Sequence, residues 1–185
     1  MRQGRAAVLI LAGIVAAPIH TGVKAQSVAG TGMARGEVSA AIVTPLRVEV
    51  LRELSFGCLA VSGDGVATVS PETGKATVSG GVNAFTSGSE CTAEPAAFLV
   101  RGEQNRSYRF AMADSAMATN RSGGPDELLV TDLSGLSEGR GSGGNSGLLD
   151  AVGEDRLLVG GSLQVPADTS PGRYVADVSV TVSYN

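Results

Sequence analysis

The sequence predicts an all-β protein, a sandwich or barrel of antiparallel strands, and three observations carry that prediction. Apolar residues recur at every second position in many short runs, the period that puts successive side chains on opposite faces of a strand. Glycine and proline, 26 and 7 of the 185 residues, punctuate those runs as turns. Past residue 25, no run shows the 3.6-residue period of an amphipathic helix.

The chain opens with Arg2 and Arg5 and then the apolar run Ala6–Ala17, the layout of a signal peptide. Val23-Lys24-Ala25 places small or aliphatic residues where cleavage needs them, so residues 1–25 are expected to be removed after Ala25. A membrane-spanning helix needs roughly 20 apolar residues, and Pro18, His20 and Lys24 interrupt this run too early. The expectation is therefore export, with the periplasm in transit and the cell surface or extracellular space beyond. No membrane span is expected after cleavage. Residues 26–36 are expected as a flexible N-terminal segment and 37–185 as one domain.

Within that domain, Leu46, Val48 and Val50 alternate with Arg47 and Glu49, and the register continues through Leu54 and Phe56. Gly63-Asp64-Gly65 reads as a turn before the strand Val66–Ser70. Pro71-Glu72-Thr73-Gly74 is a second turn, so Val66–Ser70 and Lys75–Ser79 form a hairpin. Ala97–Arg101 follows, then Tyr108–Met112, with Tyr108, Phe110 and Met112 on one face. Leu128–Leu133 and Leu157–Val165 come later, and Pro166–Gly172 turns the chain into its last strand. There Tyr174, Ala176, Val178, Val180, Val182 and Tyr184 alternate with polar residues from Asp177 onward. A long, apolar strand of this kind, with an open edge, invites pairing with another chain. Val178, Val180, Val182 and Tyr184 are the candidate strand-pairing residues.

Two stretches read differently. Residues 115–147 are rich in Ser, Gly and Asn and are expected as a Gly/Ser-rich loop, since such a composition buries little apolar surface. Gly139, Gly141 and Gly144 match G-x-G-x-x-G there, but that dinucleotide signal needs a strand before it and a helix after it. Asp150, Glu154 and Asp155 are expected as a solvated charge cluster, for nothing around them resembles an EF-hand loop. Along Gln26–Val43 the even positions, Val28, Val38 and Ile42 among them, are apolar or glycine. This weak period of two suits either a donor strand for another subunit or a disordered tail followed by the domain's own first strand.

Composition removes several function classes. Cleavage takes away Arg2, Arg5, Lys24 and no acidic residue, moving the net charge from −4 to −7. Such a chain repels phosphate backbones, so no nucleic-acid partner is expected. Cleavage also takes the only histidine, His20, and with it Ser-His-Asp or Cys-His catalysis and histidine-built metal sites. No spacing among the acidic residues singles out a catalytic pair. The protein is expected not to be an enzyme and to hold no cofactor or metal. Cys58 and Cys91, the full cysteine complement of an exported chain, are expected to form one disulfide.

The order VTPLRVEVLRELSFG, GVATVSPETG, AAFLVRGEQNRSYRF and VGGSLQVPADTSPGRYVADVSVTVSYN resembles the bacterial secreted family known as domain of unknown function 4402, over Ala34–Asn185. Its most specific part is Gly160-Gly161-Ser162-Leu163, Val165-Pro166-Ala167, Pro171-Gly172-Arg173-Tyr174 and the closing Val-x-Val-x-Tyr-Asn. The resemblance implies an immunoglobulin-like antiparallel β-sandwich of the pilin and adhesin type, related to spore-coat-U-like pilus subunits. Tyr184 is similar to the penultimate tyrosine of pilus subunits, whose last strand pairs with a periplasmic chaperone. The Gly-rich insert and the weakly hydrophobic N-terminal segment depart from that pattern. The implied function is a non-enzymatic structural subunit of a cell-surface or fimbria-like assembly, with a periplasmic chaperone and like subunits as partners. A stand-alone extracellular binding module for a glycan, surface polymer or small ligand is the alternative.

Overall fold

The computed structural model describes residues 33–185. The expected signal peptide and residues 26–32 of the expected flexible segment lie outside the described residues. Residues 33–40, in the first unit Met1–Ala40, are in no regular element and are exposed; the second unit, Ala41–Asn185, holds every described strand.

That unit is all-β and every pairing in it is antiparallel. In chain order the strands are β1 Arg47–Arg52, β2 Ser55–Phe56, β3 Cys58–Val69, β4 Ala76–Phe85, β5 Ala93–Glu94, β6 Ala96–Arg101 and β7 Ser107–Met112. Then follow β8 Ala116–Asn120, β9 Glu127–Ser137, β10 Ser142–Gly143, β11 Ser146–Leu148, β12 Glu154–Val165, β13 Tyr174–Val175 and β14 Val180–Tyr184. The large sheet is organised on β12. Its first half pairs with β6 and its second half with β3 along the same edge, while β9 runs along the other. β1 extends the sheet beyond β6, β4 beyond β3, and β8 and β13 beyond β9. A small sheet, β11-β7-β14, packs on it; β2 and β5 pair apart.

The side-chain pattern of β12 explains its central place. Asp155, Leu157, Val159, Gly161, Leu163 and Val165 all turn inward, and Leu157 and Val159 are fully buried. Tyr108 and Phe110 of β7 supply the facing side of the core, with Val100, Leu128, Val130 and Leu149 filling it. Burying one such side chain stabilises the fold by about 1.5–3 kcal/mol. Gly135 on β9 lies under Phe110, where an added Cβ would collide with the ring. Cys58 and Cys91 are bonded, joining the start of β3 to the turn before β5.

The expected Gly/Ser-rich loop at 115–147 is corrected by the structure, which places β8, β9, β10 and β11 in it. Leu128 and Val130 face the core, and then Leu133, Gly135 and Ser137 do. Between them Asp132, at φ 54, bulges out and shifts the inward phase from even to odd positions. A strict period of two therefore ends at the bulge, although the strand does not. Gly63-Asp64-Gly65 is likewise not a turn but an irregularity inside β3. The terminal run is split, since residues 176–179 lie in no strand between β13 and β14.

Asp155 corrects a second expectation. Its carboxylate is not solvated but 5% exposed, under the β9–β10 hairpin. Oδ2 accepts hydrogen bonds from the Tyr108 hydroxyl at 2.8 Å and the Ser137 hydroxyl at 2.5 Å. Oδ1 accepts one from the Gly139 amide at 2.8 Å, and Ser137 Oγ accepts from the Arg140 amide. A buried carboxylate survives only when its lone pairs are filled in this way. Burial, then the Asp155 carboxylate, pushes the Tyr108 phenol far above its ordinary range.

Candidate functional site

The candidate site is the free edge of β14. Along one side, Val180–Tyr184 pairs with Met112–Tyr108 of β7; along the other, no strand lies among the described residues. Val180, Val182 and Tyr184 turn toward the core and Thr181 and Ser183 outward, as the alternation of the sequence dictates. Val178 sits just before the strand. All four candidate residues pack on the core yet remain only half-buried. The structure thus brings Val178, Val180, Val182 and Tyr184 into one apolar row beside an unpaired backbone edge. Cys58 and Cys91 take no part in it.

The row ends in a clamp that the sequence did not announce. The Tyr184 hydroxyl donates to the Thr44 carbonyl at 2.6 Å and accepts from the Glu103 amide at 2.6 Å. The Thr44 amide in turn donates to the Glu103 carboxylate at 3.0 Å. That bond from Thr44 holds the Glu103 carboxyl below the ordinary glutamate range. The Arg106 guanidinium lies 5.2 Å from the centre of the Tyr184 ring, within cation–π reach. The hydroxyl fits because residue 102 is glycine; a Cβ there would collide with it. Both backbone groups of Thr44 are therefore captured next to the C-terminal end of β14. Upstream of it, Val38 and Ile42 are 97% and 98% exposed.

Two edges of the large sheet carry charges or a bulge, although Val50 and Leu51 on β1 are 63% and 49% exposed. β1 carries Arg47, Glu49 and Arg52, and Arg101 bridges Glu49 and Glu154 at 2.9 and 2.8 Å. β4 is broken by Gly80, at φ 71, where its pairing with β3 shifts register. Charges and bulges of this kind discourage edge-to-edge association. The strand β14 carries no charge, no proline and no bulge.

Fold and site together define an all-β, sandwich-like protein: two packed antiparallel sheets and the separate β2–β5 pair, the smaller of the packed sheets ending in an open, apolar edge. The chain belongs to the family described as Domain of unknown function (DUF4402), which matches residues 46–184. The match ends on Tyr184 and begins after Thr44, so the clamp joins a residue outside the family domain to two inside it. No curated protein matches the chain.

Proposed function

We propose that this chain is an exported, non-enzymatic structural subunit of a cell-surface or fimbria-like assembly, on an immunoglobulin-like, pilin-like sandwich, joined to like subunits by strand addition at β14. The observation that carries the reading is the half-buried row Val178, Val180, Val182 and Tyr184 beside an unpaired edge. A strand added there gains main-chain hydrogen bonds along the edge and side-chain burial at alternate positions. The segment upstream of Thr44 has the matching chemistry, with Val38 and Ile42 bare and two residues of opposite phase between each apolar position and the next but one. Burying both contributes about 3–6 kcal/mol. A periplasmic chaperone in transit would cover the same edge until a second copy replaces it.

The test is a gel and a micrograph of surface material from producing cells. The wild type is expected to give a heat-labile, SDS-resistant ladder and antibody-labelled filaments. The double variant Val38→Asp/Ile42→Asp is expected to melt like the wild type, because both side chains are exposed, and to lose the ladder. A wild type with neither ladder nor filaments removes the subunit reading in favour of the stand-alone binding module.

A further inference from the structure

The Gly160-Gly161-Ser162 run, part of the most specific sequence motif, is not used by the β14 edge. Its Gly161 and Ser162 form the floor of a hollow of about 260 Å³ on the outer face of the large sheet. The hollow exists for backbone reasons. Gly160 has no Cβ, and one placed there would collide with the Val69 carbonyl and the Pro71 ring, so the β3–β4 turn folds closely over β12. On the opposite wall the β9 bulge lifts Asp132 out of the strand, and Ser134, two residues on, lines the same wall.

Polar groups converge on this space. Thr68 and Ser162 share a hydrogen bond at 3.0 Å across the floor. The Asp132 carboxylate takes one from Thr131 at Oδ2 and leaves Oδ1 without a partner among the described residues. Ser134 Oγ and the Glu72 carboxylate make no hydrogen bond among the described residues, and both line the hollow. Val69 and Pro71 add an apolar side to the lining.

We propose that this hollow binds a single neutral sugar residue. The chemistry selects the ligand class. Two carboxylates and no lysine or arginine line the space, which disfavours phosphates, sulfates and acidic sugars. Carboxylates and hydroxyls together accept and donate to neighbouring hydroxyls of one ring, and the Pro71 side meets its C–H face. The volume is just under the roughly 300 Å³ at which drug-sized pockets begin, room for one ring and not for a buried chain. A hard cation such as calcium requires about six to eight oxygen ligands, and no group of three acidic side chains gathers among the described residues. A site this shallow binds weakly as one copy and gains strength when many copies are displayed together. The proposal does not rest on strand addition, since the hollow lies on the large sheet and the free edge on the small one.

The experiment is an amide NMR titration of the purified, monomeric chain with glucose, galactose, mannose, N-acetylglucosamine and, separately, calcium chloride. At least one sugar is expected to give saturable shifts centred on Thr68, Ser134, Gly161 and Ser162. Ser134→Ala and Asp132→Asn are expected to weaken that binding about ten-fold each. Both positions are exposed, and asparagine tolerates the left-handed backbone of residue 132. Dispersed spectra of both variants establish that they fold, and if one does not, the other carries the test. No saturable shift with any sugar, shifts centred elsewhere, binding unchanged in the folded variant, or the same shifts from calcium chloride alone would each overturn the proposal.

Discussion

Replacing Asp155 probes the one buried charged side chain among the described residues, which links the large sheet to β7 of the small one. Its carboxylate is 5% exposed and takes hydrogen bonds from Tyr108, Ser137 and Gly139. Hydrogen bonds to a charged group contribute about 1.5–3 kcal/mol each, and a buried donor left unpaired costs about 1–3 kcal/mol. Tyr108 and Ser137 are both 0% exposed, so neither hydroxyl finds water once the carboxylate is gone. Two buried hydroxyls left unpaired at that cost each give the loss expected for Asp155→Ala, about 2–6 kcal/mol. Asp155→Asn keeps the shape and one acceptor, and the hydroxyls can rotate to accept from its amide, so about 1–3 kcal/mol is expected. Urea unfolding followed by far-UV circular dichroism measures both, with a lower midpoint at unchanged slope as the signature. A cost below about 1 kcal/mol for Asp155→Ala would refute the account of a dry, fully engaged carboxylate.

The same network sets an alkaline limit. Burial and then Asp155 raise the folded-state pKa of Tyr108, while the unfolded phenol ionises near 10. Between those two values the unfolded state binds fewer protons, so stability is complete below pH 10 and falls above it, by up to about 1.4 kcal/mol per pH unit. Tyr108→Phe should flatten that limb; an unchanged limb would assign it to other groups.

The disulfide and the clamp give two further tests. Cys58→Ser should destabilise the domain by about 3.7 kcal/mol in the chain-entropy model, for a loop with a sequence separation of 33, and alkylation of the unreduced wild type should add no label. In the clamp, Tyr184→Phe keeps the ring but loses the hydroxyl held by Thr44 and Glu103, so a loss of about 1–3 kcal/mol in thermal or urea melts is expected. Because Thr44 holds the Glu103 carboxyl down, their contact is present above the ordinary glutamate pKa and is lost as pH falls through the lowered one. The Thr44 amide shift should follow that titration, and a midpoint at or above the ordinary glutamate value would contradict the contact.

How much of this was legible in the sequence depended on whether a residue's partners were local. Tyr108, Phe110 and Met112, the hairpin across Pro71–Gly74 and the run Leu157–Val165 were read correctly in place, because a strand's own period reports which face is buried. The bulge at Asp132 broke that period, and Gly135 looked like loop composition when its missing side chain makes room for Phe110. Asp155 looked solvated because Glu154 and Arg156 beside it are charged, while its partners Ser137 and Tyr108 lie 18 and 47 residues away. The row on β14 was visible as alternation. Its clamp was not, since Thr44 and Glu103 are 140 and 81 residues from Tyr184.

The edges of the two sheets make β14 the informative one. An antiparallel sheet with an unprotected edge tends to add strands from other chains, so an edge that must stay single acquires charge, a bulge or a cover. On β1 the outward pairs Arg101–Glu49 and Arg101–Glu154 place fixed charges at the border. As exposed pairs they contribute little stability, so their effect there is to discourage a neighbour. Gly80 interrupts β4 in the same sense. On β14 the outward positions are Thr181 and Ser183, where a lysine would fit the fold equally well and would guard the edge. The sequence places β-forming, uncharged residues there and leaves the inward row half-covered. Beside β1 and β4, the β14 edge is both open and apolar among the described strands, and under the strand-addition proposal its cover would come from a segment whose Val38 and Ile42 are otherwise bare.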